Sequence, residues 1–188
     1  MNLPNKLTVL RLILIPVFAV LFFVKAIPYN YVFALAVFCA AAFTDFLDGY
    51  FARKLNLVTN LGKFLDPIAD KLLVSTALIF LLTVPAVMPT VIGSVCVSVI
   101  IARELMISAF RQIAAAGNVI MAADMTGKIK TVFQDFAIIV MLLCCQFIST
   151  EVYGIFFWAG MALLVAATVL SIVSAVNYIV KNRSVLKN

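Results

Sequence analysis

A chain of 188 residues that is 65% hydrophobic, with a mean hydropathy of +1.19 and only 12% charged residues, cannot hide its apolar surface in a water-soluble core; nearly all of it must lie in lipid or in a protein interior facing lipid. It holds no histidine, which excludes a phosphohistidine intermediate and histidine acid–base catalysis. The net charge of +6 needs no nucleic acid to explain it, since anionic lipid heads and phosphate-bearing substrates suffice, and no nucleic-acid motif is present.

At about 20 residues per crossing, the apolar runs predict six transmembrane helices, near 7–25, 29–51, 67–84, 88–112, 130–149 and 153–180, within a single domain spanning 1–188. The first run lacks the small-residue cleavage site of a signal peptide and is read as retained, with Pro16 as a place for a kink. Asn5, Thr8 and Arg11 serve equally well as interfacial polar residues or as contacts to a lipid headgroup. Of the 14 Lys and Arg, all but Lys25 fall at the N-terminus, in the second and fourth connections with their flanking turns, or in the C-terminal tail. The positive-inside rule then puts both termini and both long connections in the cytoplasm. Seven of the eight acids, all but Glu151, lie on that same face, so a polar cavity should open to the cytosolic side. Asp124 and Asp135 belong to no pattern and read as surface or structural residues. Cys39, Cys96, Cys144 and Cys145 read as buried thiols whose spacing makes no disulfide framework.

The second connection carries the densest polar sequence. From Asp45 to Asp70 it reads DFLDGYFARKLNLVTNLGKFLDPIAD, or D-x2-D-G-x2-A-R-x8-G-x3-D-x3-D, and so gathers four of the chain's eight acids. A carboxylate costs roughly 2.5–3.5 kcal/mol at the centre of a membrane helix, so four together need cations. At 100° per residue, Asp45, Asp48, Gly49, Ala52 and Arg53 share a helical arc of roughly 140°. Gly49 and Ala52 have almost no side chain, so a ligand or a second helix can approach the backbone between the acids. Asp66 precedes Pro67, which predicts a helix starting there, with Asp70 one turn on and residues 56–62 as the bend. With no histidine and with the cysteines elsewhere, the available ligands are oxygens, which suit Mg²⁺, Mn²⁺ or Ca²⁺. Four carboxylates around one or two divalent ions, with Arg53 close by, make a receptor for a pyrophosphate or phosphate group. An aspartate-lined divalent-cation carrier is the competing reading, but Arg53 beside the acids would repel that cargo.

This eight-position pattern, filled without a substitution, resembles the signature of the CDP-alcohol phosphotransferases, a family of integral membrane enzymes. The stretches NLPNKLTVLRLILIP (Asn2–Pro16), IIARELMISAFR (Ile100–Arg111) and GKIKT (Gly127–Thr131) are similar to the bacterial phosphatidylglycerophosphate synthase branch, so the likeness covers nearly the whole chain. The resemblance implies an all-α membrane enzyme, homodimeric and in the cell membrane, that transfers a phosphatidyl group from CDP-diacylglycerol to an alcohol and releases CMP. It implies that Asp45, Asp48 and Asp66 hold two divalent ions, Mg²⁺ or Mn²⁺, and that Asp70 both contacts metal and takes the proton from the attacking hydroxyl. By the same resemblance Gly49, Ala52 and Gly62 leave room for the nucleotide, Arg53 neutralises donor phosphate, and Asn5 and Thr8 contact the donor lipid.

A second cationic group follows. Arg103 and Arg111 recur with Ile107 at intervals of four; they either snorkel at a helix end or, with Lys128 and Lys130, ring a second anion site. Glu104 reads as the ion-pair partner of Arg103. A second cationic cluster implies an acceptor that is itself anionic, and sn-glycerol 3-phosphate is that choice, with serine, inositol phosphate or another lipid as alternatives. Membrane prenyltransferases also use aspartate-rich motifs for pyrophosphate, but on longer bundles.

Overall fold

A backbone in hydrocarbon has no water to satisfy its N–H and C=O groups, so each apolar run must close its hydrogen bonds within itself. The computed structural model describes the backbone at residues 3–55, 60–116 and 125–181, and side chains at 6–44, 68–69, 71–112 and 125–181. Among these residues the chain forms six helices: α1 (Leu3–Phe23), α2 (Asn30–Leu55), α3 (Asn60–Leu81), α4 (Thr90–Ala116), α5 (Met125–Gln146) and α6 (Tyr153–Lys181).

Number and order match the apolar runs, but the ends do not. α3 starts at Asn60 rather than at 67, so Pro67 falls inside its bounds; residues 56–59 of the expected bend lie outside the described set. α5 starts at Met125 rather than at 130, which puts Gly127 and Lys128 on a helix. Both extensions run into polar sequence. Apolarity marks what can sit in lipid, whereas a helix continues wherever its backbone bonds are met.

Four helices among the described residues are long and apolar enough to cross a membrane, in the spans Lys6–Phe23, Thr90–Gln112, Met125–Gln146 and Tyr153–Lys181, which makes this a multi-pass membrane protein. Among the described residues, α2 and α3 contribute shorter apolar stretches, Asn30–Thr44 and Lys71–Leu81.

Beside large buried side chains such as Phe18, Phe38 and Leu78, the interior of the bundle holds many alanines, and many large apolar side chains face outward. Ala34, Ala41, Ala77, Ala137 and Ala167 are all 0% exposed, while Val91, Trp158 and Ile155 are more than 70% exposed. Small buried residues and an apolar exterior suit a lipid solvent, where helices associate through close backbone approach and dispersion rather than by hiding apolar surface from water. The most extensive pairings are α5 with α6 and α1 with α2. Gly160 shows the intimacy of the first, since a Cβ there would lie 2.9 Å from the Met141 side chain. α4 also lies against α6, α1 against α3, and α2 against α5.

One end of the bundle is aromatic. Phe18 of α1 stacks on Phe80 of α3 at 5.9 Å and 3°, and Phe22 and Phe23 complete the cluster on Phe80. Phe38 and Tyr31 of α2 approach the same rings. The α1–α2 turn closes over this end, where the Asn30 side-chain amide donates to the Phe22 carbonyl at 3.0 Å and Tyr29 takes a left-handed φ of 54°. The polar residues collect at the opposite end.

Candidate functional site

The signature is carried by the two helices flanking the second connection. Positions 45, 48, 49, 52 and 53 lie in the last turns of α2, and 62, 66 and 70 in the first half of α3. The side chains of Asn5, Asp45, Asp48, Gly49, Ala52, Arg53, Gly62, Asp66 and Asp70 lie outside the described residues. Among the described residues no three His, Cys, Asp or Glu gather as a metal-ligand group.

The second cationic group is fully in view. Lys71, Arg103, Glu104, Arg111, Lys128 and Tyr178 are the chief lining of an open polar cleft of about 180 Å³, between α3, α4, α5 and α6. Ser108, Thr131 and the bare backbone of Gly127 complete its wall. The cleft begins at the residue that follows Asp70 in sequence.

Glu104 organises the cations. Its Oε1 accepts from Arg103 Nη1 at 3.0 Å and from Lys130 Nζ, and its Oε2 faces Lys71 Nζ at 3.8 Å. One carboxylate thus ties α3, α4 and α5 together. Ser108, one turn on, donates its hydroxyl to the Glu104 carbonyl at 2.7 Å. A charge removed from water costs several kcal/mol unless its partners are fixed, and these partners come from three helices.

Of the four cations expected to ring the anion site, three share the cleft and one does not. Arg103, Arg111 and Lys128 line it. Lys130 is 1% exposed, is engaged by Glu104, and borders a smaller neighbouring cavity with Val74, Ser75 and Gln134. Sequence spacing alone could not separate the two lysines, because 128 and 130 lie about 200° apart on a helix and only the packing decides which one faces in.

Other expectations shift as well. Thr8 and Arg11 are 0% exposed on the inner face of α1, so they belong to the interior and not to the lipid interface. Arg11 shares a cavity of about 60 Å³ with Ala41, Ala42, Leu73, Val74, Thr131 and Asp135. Asp135, read from sequence as a residue without a pattern, therefore belongs to this polar interior. Cys39 is exposed rather than buried, off the stripe of Ala34, Phe38 and Ala41 that faces inward; Cys96, Cys144 and Cys145 are buried as expected.

Helix α6 supplies what sequence reading missed. Ser174 Oγ accepts from Arg103 Nη2 at 2.6 Å, and Tyr178 OH accepts from Arg111 Nε at 3.2 Å, with the Arg111 guanidinium 5.5 Å from the tyrosine ring centre. A signal was present: Thr168, Ser171, Ser174 and Tyr178 repeat at three, three and four residues, a buried polar stripe on a helix of high hydropathy. The hydroxyls of Thr168 and Ser171 donate to carbonyls of their own helix, at 2.8 and 2.7 Å.

Compared with known proteins, residues 1–176 match the family described as CDP-alcohol phosphatidyltransferase. The chain is 42% identical to the CDP-diacylglycerol–glycerol-3-phosphate 3-phosphatidyltransferase of Bacillus subtilis, over 99% of this chain and 97% of that one. It is 36% identical to the protein of the same description from Escherichia coli K12, over 95% of this chain and 93% of that one. A third, from Pseudomonas fluorescens, is 48% identical over 60% of this chain and 55% of its own length.

Proposed function

The chain belongs to the CDP-alcohol phosphatidyltransferase family, and from that premise we propose that it transfers the phosphatidyl group of CDP-diacylglycerol to sn-glycerol 3-phosphate, giving phosphatidylglycerophosphate and CMP. The observation that carries the choice of acceptor is the cleft of Arg103, Arg111, Lys128 and Lys71, which begins one residue past Asp70. An anionic acceptor needs such a cleft; serine or a neutral lipid does not. The relatives named above act, by their descriptions, on these two substrates.

In this reading the acceptor phosphate is gripped by Arg103, Arg111 and Lys128 while its hydroxyl meets Asp70. Asp70 takes the hydroxyl proton as the oxygen attacks the diacylglycerol-bearing phosphorus. The new O–P bond forms as the bond to the CMP oxygen breaks, and no covalent enzyme intermediate is needed. Arg53 neutralises donor phosphate, and Gly49, Ala52 and Gly62, with Asn5 and Thr8, shape the donor's seat.

The donor set fits divalent metal. The buried stripe of α2, Ala34, Phe38 and Ala41, has the spacing that positions 45 and 48 continue, and the buried Leu73 and Ala77 of α3 follow positions 66 and 70 at the same spacing. Four carboxylates at positions that continue these two spacings, without nitrogen or sulfur ligands, suit Mg²⁺ or Mn²⁺. When bound, such ions would neutralise the pyrophosphate as Lewis acids. Asp45, Asp48, Asp66 and Asp70 would hold them. We further propose one domain over residues 1–188, six transmembrane helices with the cleft on the cytosolic face, and a homodimer in the cell membrane.

The test is CMP release by the purified protein from CDP-diacylglycerol, with glycerol 3-phosphate, serine, inositol phosphate and glycerol offered in turn. Release with glycerol 3-phosphate far above the others is expected. Preference for another alcohol would overturn the acceptor assignment, and no release with any would overturn the activity.

A further inference from the structure

The two arginines of the cleft do not stand alone. Both are on α4, eight residues apart, and each is held by a residue of α6 that is itself buried: Ser174 at 0% and Tyr178 at 2% exposure. Tyr178 is in turn seated by Ile107 and Phe110, the latter ring meeting it edge-on at 6.0 Å and 73°. We propose that Ser174 and Tyr178 are positioning residues, which hold Arg103 and Arg111 in the shape that receives the acceptor's phosphate; this rests on the acceptor-site reading above.

The donors each contact consumes carry the argument. A guanidinium has five N–H groups in a rigid fork. Tyr178 takes the single Nε–H of Arg111, so all four N–H groups of its two terminal nitrogens stay available for a forked grip on phosphate. Ser174 and Glu104 take one N–H from each terminal nitrogen of Arg103, which fixes its plane and leaves one on each. An arginine side chain is among the most flexible, and ordering it when the ligand arrives weakens binding. Here the ordering is done by the fold. α6 packs on α5 as well as on α4, so its hydroxyls are set by the bundle and not by the cleft.

Gly127 closes the other side of this arrangement. A Cβ there would lie 3.3 Å from Arg103 Nη2 and 3.6 Å from Ser174 Oγ, so the absent side chain leaves room for the Arg103–Ser174 bond. A methyl group there would crowd Nη2 of Arg103 where it meets Ser174.

The experiment compares Ser174→Ala, Tyr178→Phe and Gly127→Ala in the full-length protein in detergent, with Arg103→Ala and Arg111→Ala alongside. The readouts are KM for glycerol 3-phosphate, KM for CDP-diacylglycerol, kcat, and the inhibition constant of inorganic phosphate against glycerol 3-phosphate. For Ser174→Ala and Gly127→Ala, KM for glycerol 3-phosphate and the phosphate inhibition constant should rise together by about 3- to 10-fold, less than for loss of a direct contact. Tyr178→Phe should show the smaller rise, because the ring stays beneath the guanidinium. KM for the donor and kcat should hold. Ser174→Ala added to Arg103→Ala should weaken acceptor use no further, since its partner is gone. If Ser174→Ala does not fold, Gly127→Ala probes the same bond through the space beside it. Raised KM in the arginine variants beside unchanged Ser174→Ala, Gly127→Ala and Tyr178→Phe would remove the positioning role and leave the acceptor site standing. Unchanged KM in the arginine variants would remove both.

Discussion

The two ends of this bundle are built by opposite rules. At the aromatic end Phe18, Phe22, Phe23 and Phe80 meet through faces and edges at centroid distances of 4.8 to 6.0 Å, and each ring is satisfied by its neighbours. At the polar end Lys71, Arg103 and Lys130 converge on the one carboxylate of Glu104, and the buried Nε of Arg103 and Oε1 of Gln134 find no hydrogen-bond partner among the described residues. A self-satisfied cluster can do no more than hold the helices together. A cluster that leaves buried polar atoms unsatisfied among the described residues keeps binding capacity in reserve, at the expense of stability, and that is the property a substrate site needs.

That contrast can be broken most severely at the signature. Asp45→Asn, Asp48→Asn and Asp66→Asn should each lower CMP release by orders of magnitude, and EDTA should abolish it in the unaltered protein, with Mg²⁺ or Mn²⁺ restoring it. Full turnover in EDTA would end the metal assignment. Next in size is Asp70→Asn, expected to cost about 10²- to 10⁴-fold in kcat as a lost general base, with donor binding affected less. If calorimetry finds CDP binding abolished by Asp70→Asn, this residue is chiefly a metal ligand and the base lies elsewhere.

Within the cleft the effects should be smaller and confined to the acceptor. A hydrogen bond to a charged group is worth roughly 1.5–3 kcal/mol, so Arg111→Ala and Lys128→Ala should raise KM for glycerol 3-phosphate by roughly 10- to 150-fold and spare that for CDP-diacylglycerol. Lys130 sharpens the point, because its ammonium faces Glu104. Lys130→Met should weaken acceptor use by exposing the phosphate to the Glu104 charge, and adding Glu104→Gln should recover most of the loss. A Lys130 that gripped phosphate itself would show no such recovery. The smallest effect on activity is expected at the other end. Phe18→Ala should lower stability in detergent by about 3 kcal/mol or more, read as an earlier thermal transition, while both KM values stay near their unaltered levels. A large change in kcat there would mean that the two ends are coupled.

Much of the fold was legible because lipid imposes a strong rule: six apolar runs became six helices in the expected order. The helix ends at Asn60 and Met125 were not, since polar sequence gives no reason for a helix to stop where the hydrocarbon does. At the candidate site, the four-residue recurrence of Arg103 and Arg111, with Lys128 in the next basic segment, was enough to group three cations that line one cleft. Lys130 needed packing to be told apart from Lys128, Arg11 needed it to be moved from the interface to the interior, and Asp135 needed a neighbour three helices away in sequence. Ser174 and Tyr178 were overlooked because a hydroxyl in an apolar helix usually bonds its own backbone, as Thr168 and Ser171 do.

The close seating of α5 on α6 also bears on how the chain enters the membrane at all. α5 is the less apolar of the pair, with a mean hydropathy of 1.6 against 2.3, and it carries Lys130 and Gln134 on its buried face. A segment of that composition is a weak candidate for insertion by itself, whereas a hairpin delivered together with α6 can shelter those side chains as it leaves the translocon. The glycine at 160, which lets the two backbones approach, would then matter during biogenesis as well as afterwards. Leucine there is expected to reduce the fraction of nascent chains in which α5 spans the bilayer, measured by glycosylation sites placed on either side of it.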